Sequence, residues 1–350
     1  MEFRTKSFSN VAEILDAENR TLWDEFVTSD SSSNFLQSWD FYEFHAARGN
    51  DIVRRVALDK SGKIIAAYAG VVEAARRGRY LAIAGGPIVD WGNQRLVADL
   101  FKDIRDEAFR HNCVFVRVRP QLPLSDDSLA LMHDLGLKRA PMYLSVEYAG
   151  ILNLEKPESE ILAGASQGFR RKLRKAEKAE ITVETSQDPA VMKDFCHLEA
   201  LHAERQGYVP FSESFLTKQF EAFAKNDEVI MYTARKDGEI LAMNFMIFYG
   251  NEASYHYGVS SDLGTKYSAA PLLHLKAMDE ARQRGITRYN LWGIVDPDDT
   301  THRFYGVSEF KRSFGCSELK YTPAHDLVLK PAKYQLTKLI ETARKKHRHV

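Results

Sequence analysis

The sequence predicts an α/β (α+β) protein of two similar units, each a mixed, largely antiparallel sheet with helices against it. Three observations carry this. A chain of 350 residues suits two domains better than one. Its content of 44% apolar and 27% charged residues is that of a globular protein with room for two cores. Each half also repeats one order of patterns: helices, an antiparallel meander, a helix and a strand.

In the first half, residues 11–26 and 39–47 show helical spacing, with Ser38 placed to cap the second segment. Strands are expected over 52–58 and 64–72, joined by the turn Asp59-Lys60-Ser61-Gly62. A short strand at 80–83 ends at Gly85-Gly86-Pro87. Leu96, Leu100, Ile104 and Ala108 fall on one face of a helix over 96–110. A strand at 113–118, a helix at 128–135 and a strand at 144–148 complete the half.

The second half has helices at 191–206 and 214–224, then strands at 229–235 and 239–249 around Lys236-Asp237-Gly238. A strand at 253–258, a helix at 269–283 and a strand at 288–292 follow. Residues 152–168, with Pro157 and Gly164, read as a connector into a basic helix at 169–179. The boundary is therefore placed near 150, giving domains 1–149 and 150–325. A C-terminal helix within 326–350 completes the first domain, and Leu336, Leu339, Ile340 and Ala343 are expected to pack on it.

Forty-eight basic and 48 acidic residues cancel, so net charge selects no partner. Locally the balance breaks. Residues 170–178 hold six basic residues and one acidic, and 330–348 hold seven Lys/Arg and one Glu. Such runs are solvated faces or footprints for phosphates. Three scattered cysteines argue against a disulfide framework or a Cys-rich zinc site and fit a reducing cytosol. The start Met1-Glu2-Phe3-Arg4-Thr5-Lys6 has no apolar core of a secretory signal. No run reaches the roughly 18 apolar residues of a membrane span. A cytoplasmic location is expected, including the inner surface of the plasma membrane.

Several segments carry a resemblance in the right order. They are Phe35-Leu36-Gln37-Ser38-Trp39, Gly85-Gly86-Pro87-Ile88-Val89 and the helix from Gly168 through Arg170-Arg171-Lys172-Leu173-Arg174-Lys175-Ala176-Glu177-Lys178. The fullest is Tyr289-Asn290-Leu291-Trp292-Gly293 followed by Gly306-Val307-Ser308-Glu309-Phe310-Lys311-Arg312-Ser313-Phe314-Gly315. Together they resemble the Fem family (FemABX) of peptidoglycan peptidyltransferases, in the compact form without a coiled-coil arm. The resemblance implies two GNAT-like acyltransferase units. It also implies transfer of an amino acid from aminoacyl-tRNA to an amine of a UDP-linked or lipid-linked muropeptide, by a monomer with no cofactor and no metal.

Transfer from a tRNA ester to an amine builds an oxyanion, so the site needs a cation or fixed donors there and tight positioning of both substrates. No G-x-S-x-G elbow or cysteine nucleophile signature is present. The resemblance makes Lys311 the cation and Phe310 its catalytic neighbour, against the plainer reading of a surface Lys at a strand end. Phosphates and carboxylates of the acceptor call for Arg, Tyr and similar donors. The resemblance assigns Arg205, Tyr208, Tyr255, Tyr257, His45 and Trp39 to that role. Tyr255 and Tyr257 are expected on one face of a strand. Arg170, Arg171, Lys175, Lys345 and Lys346 are the candidates for tRNA. His45 stands where the family often has Lys, and Arg119 where it often has an acidic residue. Two rivals remain open. One is a CoA-dependent N-acyltransferase, although Gly264-Thr265-Lys266-Tyr267-Ser268-Ala269-Ala270 lacks the tight glycine pair of a pyrophosphate cradle. The other is a non-catalytic RNA- or membrane-surface-binding protein.

Overall fold

The computed structural model describes residues 11–75 and 78–348. They divide into two compact units: residues up to Glu147 together with those from Lys320 onward, and Tyr148–Leu319.

In the first unit the strands run, in spatial order, Val11–Asp16, Asp51–Asp59, Ile64–Ala75, Gly78–Gly85, Phe115–Pro120, His325–Val328 and Lys138–Arg139. All neighbours are antiparallel except Gly78–Gly85 against Phe115–Pro120. The helix Gln94–Arg110 buries Leu96, Val97, Leu100, Ile104 and Ala108 against this sheet. The helix Trp39–Ala47 begins where the Ser38 side chain accepts from the Phe41 amide.

The second sheet runs Ser317–Lys320, Tyr148–Asn153, Arg288–Gly293, Glu252–Ser260, Glu239–Tyr249, Val229–Lys236 and Thr182–Ser186. Its parallel pair is Glu252–Ser260 with Arg288–Gly293. Helices Gln167–Glu177 and Ala270–Gln283 bury Phe169, Leu173, Leu273, Ala277 and Met278 on one face. On the other face lies Glu213–Ala224, whose Phe220 meets Phe245 edge-on.

Four expectations are corrected. Residues 11–26 are not one helix. Val11–Asp16 is an edge strand paired with Asp51–Asp59, and the helix Arg20–Ser29 starts only after Asn19 caps it. The apolar spacing of Val11, Ile14 and Leu15 mimics a helix, but hydrogen bonding to the sheet edge overrides it. The strand at 144–148 is instead Tyr148–Asn153, which pairs with Arg288–Gly293 in the second sheet. The supposed connector after it holds the helix Glu158–Gly164. Third, the Phe310-Lys311 motif is no strand end; it closes the helix Tyr305–Arg312. Finally, the last helix, Pro331–Arg348, turns Tyr334 and Thr337 inward and leaves Leu336 and Leu339 exposed.

Candidate active site

The parallel pair of the second sheet is short. Glu252 faces Arg288, Ala253 faces Tyr289 and Ser254 faces Asn290, and there the pairing stops. Beyond it each strand departs from regular geometry. On one strand Tyr257 opposes Phe245 but Tyr255 opposes Met246, so His256 is the extra residue of a bulge. On the other, Trp292 adopts φ +65°, a left-handed conformation costly for a bulky residue.

Lys311 sits where the strands part. Its Nζ donates to the Gly293 carbonyl at 2.8 Å and lies 5.6 Å from the Tyr255 ring centre. The side chain is buried, 6% exposed, and burial pushes its pKa down to about 7, partly opposed by Cys316. Removing an ammonium from water disfavours the charged form. Around it stand His274, Phe310 and Phe314. The His274 ring is 4.5 Å from Tyr255, 5.7 Å from Phe310 and 4.9 Å from Phe314. Its Nδ1 is 2.7 Å from the Tyr289 hydroxyl, and burial, then Lys311, pushes its pKa down to about 3.

A buried polar chain supports the kink. Glu252 Oε1 accepts from Ser254 Oγ at 2.7 Å and from Asn290 Nδ2 at 3.0 Å. Its Oε2 lies 2.8 Å from Arg288 Nε. Asn290 Oδ1 in turn accepts from the Trp292 amide at 2.7 Å. The chain therefore ends one residue before the carbonyl that holds Lys311. Neither Glu252, inside an ordinary strand pattern, nor His274, inside an ordinary helical pattern, carried a sequence signal.

The helix of Lys311 is locked to the basic helix. Gly315, at φ +76°, sits where a Cβ would strike the Gly164 carbonyl. Ser166 donates its amide to Ser313 O at 2.9 Å, and its hydroxyl caps Gln167–Glu177. Gly264 is likewise explained by packing, since a Cβ there would strike Leu241 O.

The other candidate residues are scattered. Phe310 is half-buried against the second core. Tyr255 shares a face with Met246 and His274, but the bulge turns Tyr257 to the opposite face, 5.7 Å from Phe245 and 5.8 Å from Phe211. The expectation that they share a face is therefore wrong. Burial pushes both hydroxyl pKa values up. Tyr208 donates to Glu199 Oε1 at 2.7 Å, and Arg205 is exposed and paired with Asp262. Arg170 turns inward and donates to the carbonyls of Leu162, Ala163 and Ala165, the C-terminal end of the preceding helix, so it leaves the phosphate footprint. Arg171 and Lys175 are exposed. The side chains of Lys345 and Lys346 lie outside the described residues. In the first unit Trp39 carries the Arg54 guanidinium 3.9 Å from its ring. His45 is half-buried there, its pKa pushed down to about 4 by burial and then by Arg48. It is neutral near pH 7 and brings no charge to a phosphate.

Residues 19–130 match the FemAB family and 164–312 an acetyltransferase (GNAT) domain. The first match spans about a third of the chain and gives it a likeness to the Fem family. A relative, the lipid II:glycine glycyltransferase of Staphylococcus aureus strain MRSA252, is 20% identical over 91% of this chain and 93% of its own. The crystal structure of FemX aligns with a TM-score of 0.84 at 19% identity, covering 93% of this chain and all of the other. A tandem GNAT protein from the clavulanic acid biosynthesis pathway aligns at 0.56 and 13% identity, covering 90% and 98%. The fold is thus a pair of GNAT-like units. No helix among the described residues is long and apolar enough to cross a membrane.

Proposed function

We propose that this Fem-like aminoacyltransferase moves an amino acid from aminoacyl-tRNA to an amine of a lipid-linked peptidoglycan precursor, with Lys311 as the acid–base residue. One observation carries the reading: a buried lysine, its pKa pushed down to about 7, at the point where the parallel strands separate. The relative's name supplies lipid II as the acceptor class. The exposed Arg171 and Lys175 supply a footprint for the donor's phosphates.

The acceptor nitrogen attacks the ester carbonyl carbon, forming the C–N bond and placing negative charge on the carbonyl oxygen. Neutral Lys311 accepts a proton from that nitrogen. The resulting ammonium stands beside the oxyanion, whose charge restores the amine's proton affinity. When the C–O bond to the ribose breaks, the same proton passes to the leaving oxygen, so the lysine ends as it began. A base near pKa 7 suits this work at neutral pH.

The test offers individually charged tRNAs with UDP-muramyl pentapeptide or a lipid-linked precursor and follows product mass, with acetyl-CoA in parallel. Amide product from aminoacyl-tRNA supports the proposal; acetyl transfer without it overturns it. Transfer only to the UDP-linked acceptor keeps the reaction and overturns the lipid-linked choice. In the free enzyme kcat/KM should rise with pH through about 7 as Lys311 loses its proton. A fall through that range would make Lys311 a fixed cation rather than a base.

A further inference from the structure

We propose that the outward face of the C-terminal helix docks on an anionic lipid surface. The inference rests on the reading above that the acceptor is lipid-linked, and it assigns that contact to a particular face.

The helix Pro331–Arg348 has two faces of opposite use. Inward are Tyr334, Thr337 and Glu341. The Tyr334 hydroxyl donates to Asp326 Oδ2 at 2.9 Å, its ring meets Phe115 edge-on at 5.4 Å, and Glu341 accepts from Arg117 Nη2 at 2.8 Å. Ala332, Leu336, Leu339 and Ala343 recur at helical spacing on the opposite side. Leu336 is 58% exposed and Leu339 69%, while Ala332 and Ala343 are also exposed. This is a continuous apolar stripe, unlike a lone surface leucine.

Charge decides what covers it. By helical rotation Lys333 flanks the stripe on one side; on the other Gln335 and Thr342 border it with Lys338 beyond them, and all four are exposed. Glu341, the one acidic residue within 331–348, is turned away and paired with Arg117. The outward face is therefore apolar in the middle, basic along one side and polar then basic along the other, the pattern of a helix lying in a membrane interface. There the leucines enter the acyl boundary and the lysines reach up to anionic headgroups. RNA phosphates would engage the lysines and leave the leucines against water. A second copy meeting this face about a twofold axis would bring lysine against lysine.

The experiment sediments the full-length protein with vesicles of phosphatidylcholine containing phosphatidylglycerol, and with phosphatidylcholine alone. The wild type should sediment with the anionic vesicles, less so as salt rises. L336E/L339E should reduce that partitioning by about tenfold or more, and K333E/K338E should reduce it on anionic vesicles specifically. Circular dichroism checks that the variants fold, which four exposed positions should allow. Transfer to UDP-muramyl pentapeptide should stay unchanged in both. No sedimentation of the wild type overturns the proposal, as does an unaffected leucine pair. So does a wild-type dimer that L336E/L339E makes monomeric, or a loss of tRNA affinity as large as the loss of vesicle binding. Vesicle binding without transfer to lipid-linked acceptor keeps the dock and overturns the acceptor reading. Transfer without vesicle binding does the reverse.

Discussion

The two units put the same parallel strand pair to different ends. In the first, Tyr80 through Gly85 stay in register with Phe115 through Pro120. The charge beside that pair is consumed internally. Arg117 is gripped by Asp326 at 2.7 and 2.8 Å and also bonds Glu341. In the second, pairing ends at Ser254 and Asn290, a bulge and a left-handed Trp292 hold the strands apart, and a lysine fills the gap with its Nζ donating to the Gly293 carbonyl. A closed pair whose charge is held by buried partners makes scaffold. An open pair with an unmatched charge stores reactivity. The difference lies in two local departures from strand geometry.

That contrast breaks most visibly at Asp326. Asp326→Ala leaves Arg117 buried with only Glu341, and losing one partner of a buried pair costs about 3–5 kcal/mol. The melting temperature should fall sharply, while any protein that stays folded keeps its kcat. An unchanged melting temperature would deny the first unit its scaffold role.

Lys311→Met should do the converse. Turnover should fall on the order of 100–1,000-fold, about 3–4 kcal/mol of barrier, with no loss of melting temperature. Lys311→Arg keeps charge but cannot become neutral, so it should stay inactive; recovery of most activity would leave only the cation role. Stability carries a second signature. The amine titrates near 7 when folded against 10.5 ordinarily. Between those values the unfolded chain holds a proton that the folded chain has released, so stability rises with pH across that window. Below it both states are protonated and the buried charge costs its full amount. In Lys311→Met this slope should vanish.

Asn290→Ala removes one donor to Glu252 and the acceptor for the Trp292 amide, at about 1–3 kcal/mol for stranded polar groups. If the chain positions Lys311, kcat should drop and the pH midpoint should move; a loss of stability with an unmoved midpoint would make Asn290 structural only. Smallest is the charge reversal of Arg171 and Lys175. Affinity for tRNA should weaken and its salt slope flatten by about one per lost phosphate contact, while acceptor affinity stays. If tRNA affinity also stays, this helix is a solvated face.

Much of the fold was legible because its signals are local. Asp59-Lys60-Ser61-Gly62 and Lys236-Asp237-Gly238 mark hairpins, and Leu96, Leu100, Ile104 and Ala108 mark a helix, each within one segment. Misreadings fell where a distant partner decides. Val11–Asp16 becomes a strand because Asp51–Asp59 offers an edge. Tyr257 changes face because a bulge opposite Phe245 and Met246 shifts the alternation. The last helix turns Tyr334 inward because buried Asp326 needs a donor. At the site, ordered motifs brought out Lys311, but its burial depends on Gly293, Tyr255 and His274 converging, which no spacing encodes.

The seam between Gly315 and Gly164 works as a caliper. It joins the helix bearing Lys311 to the start of the helix bearing Arg171 and Lys175, through one hydrogen bond and a contact too close for any side chain. If the proposed polynucleotide donor is gripped on the second helix, its ester is presented at a set reach from the first. Such a caliper measures the length of a single-stranded tail and ignores the body it hangs from. A donor trimmed or extended by one nucleotide at that tail would bind as before and yet hold its ester out of register.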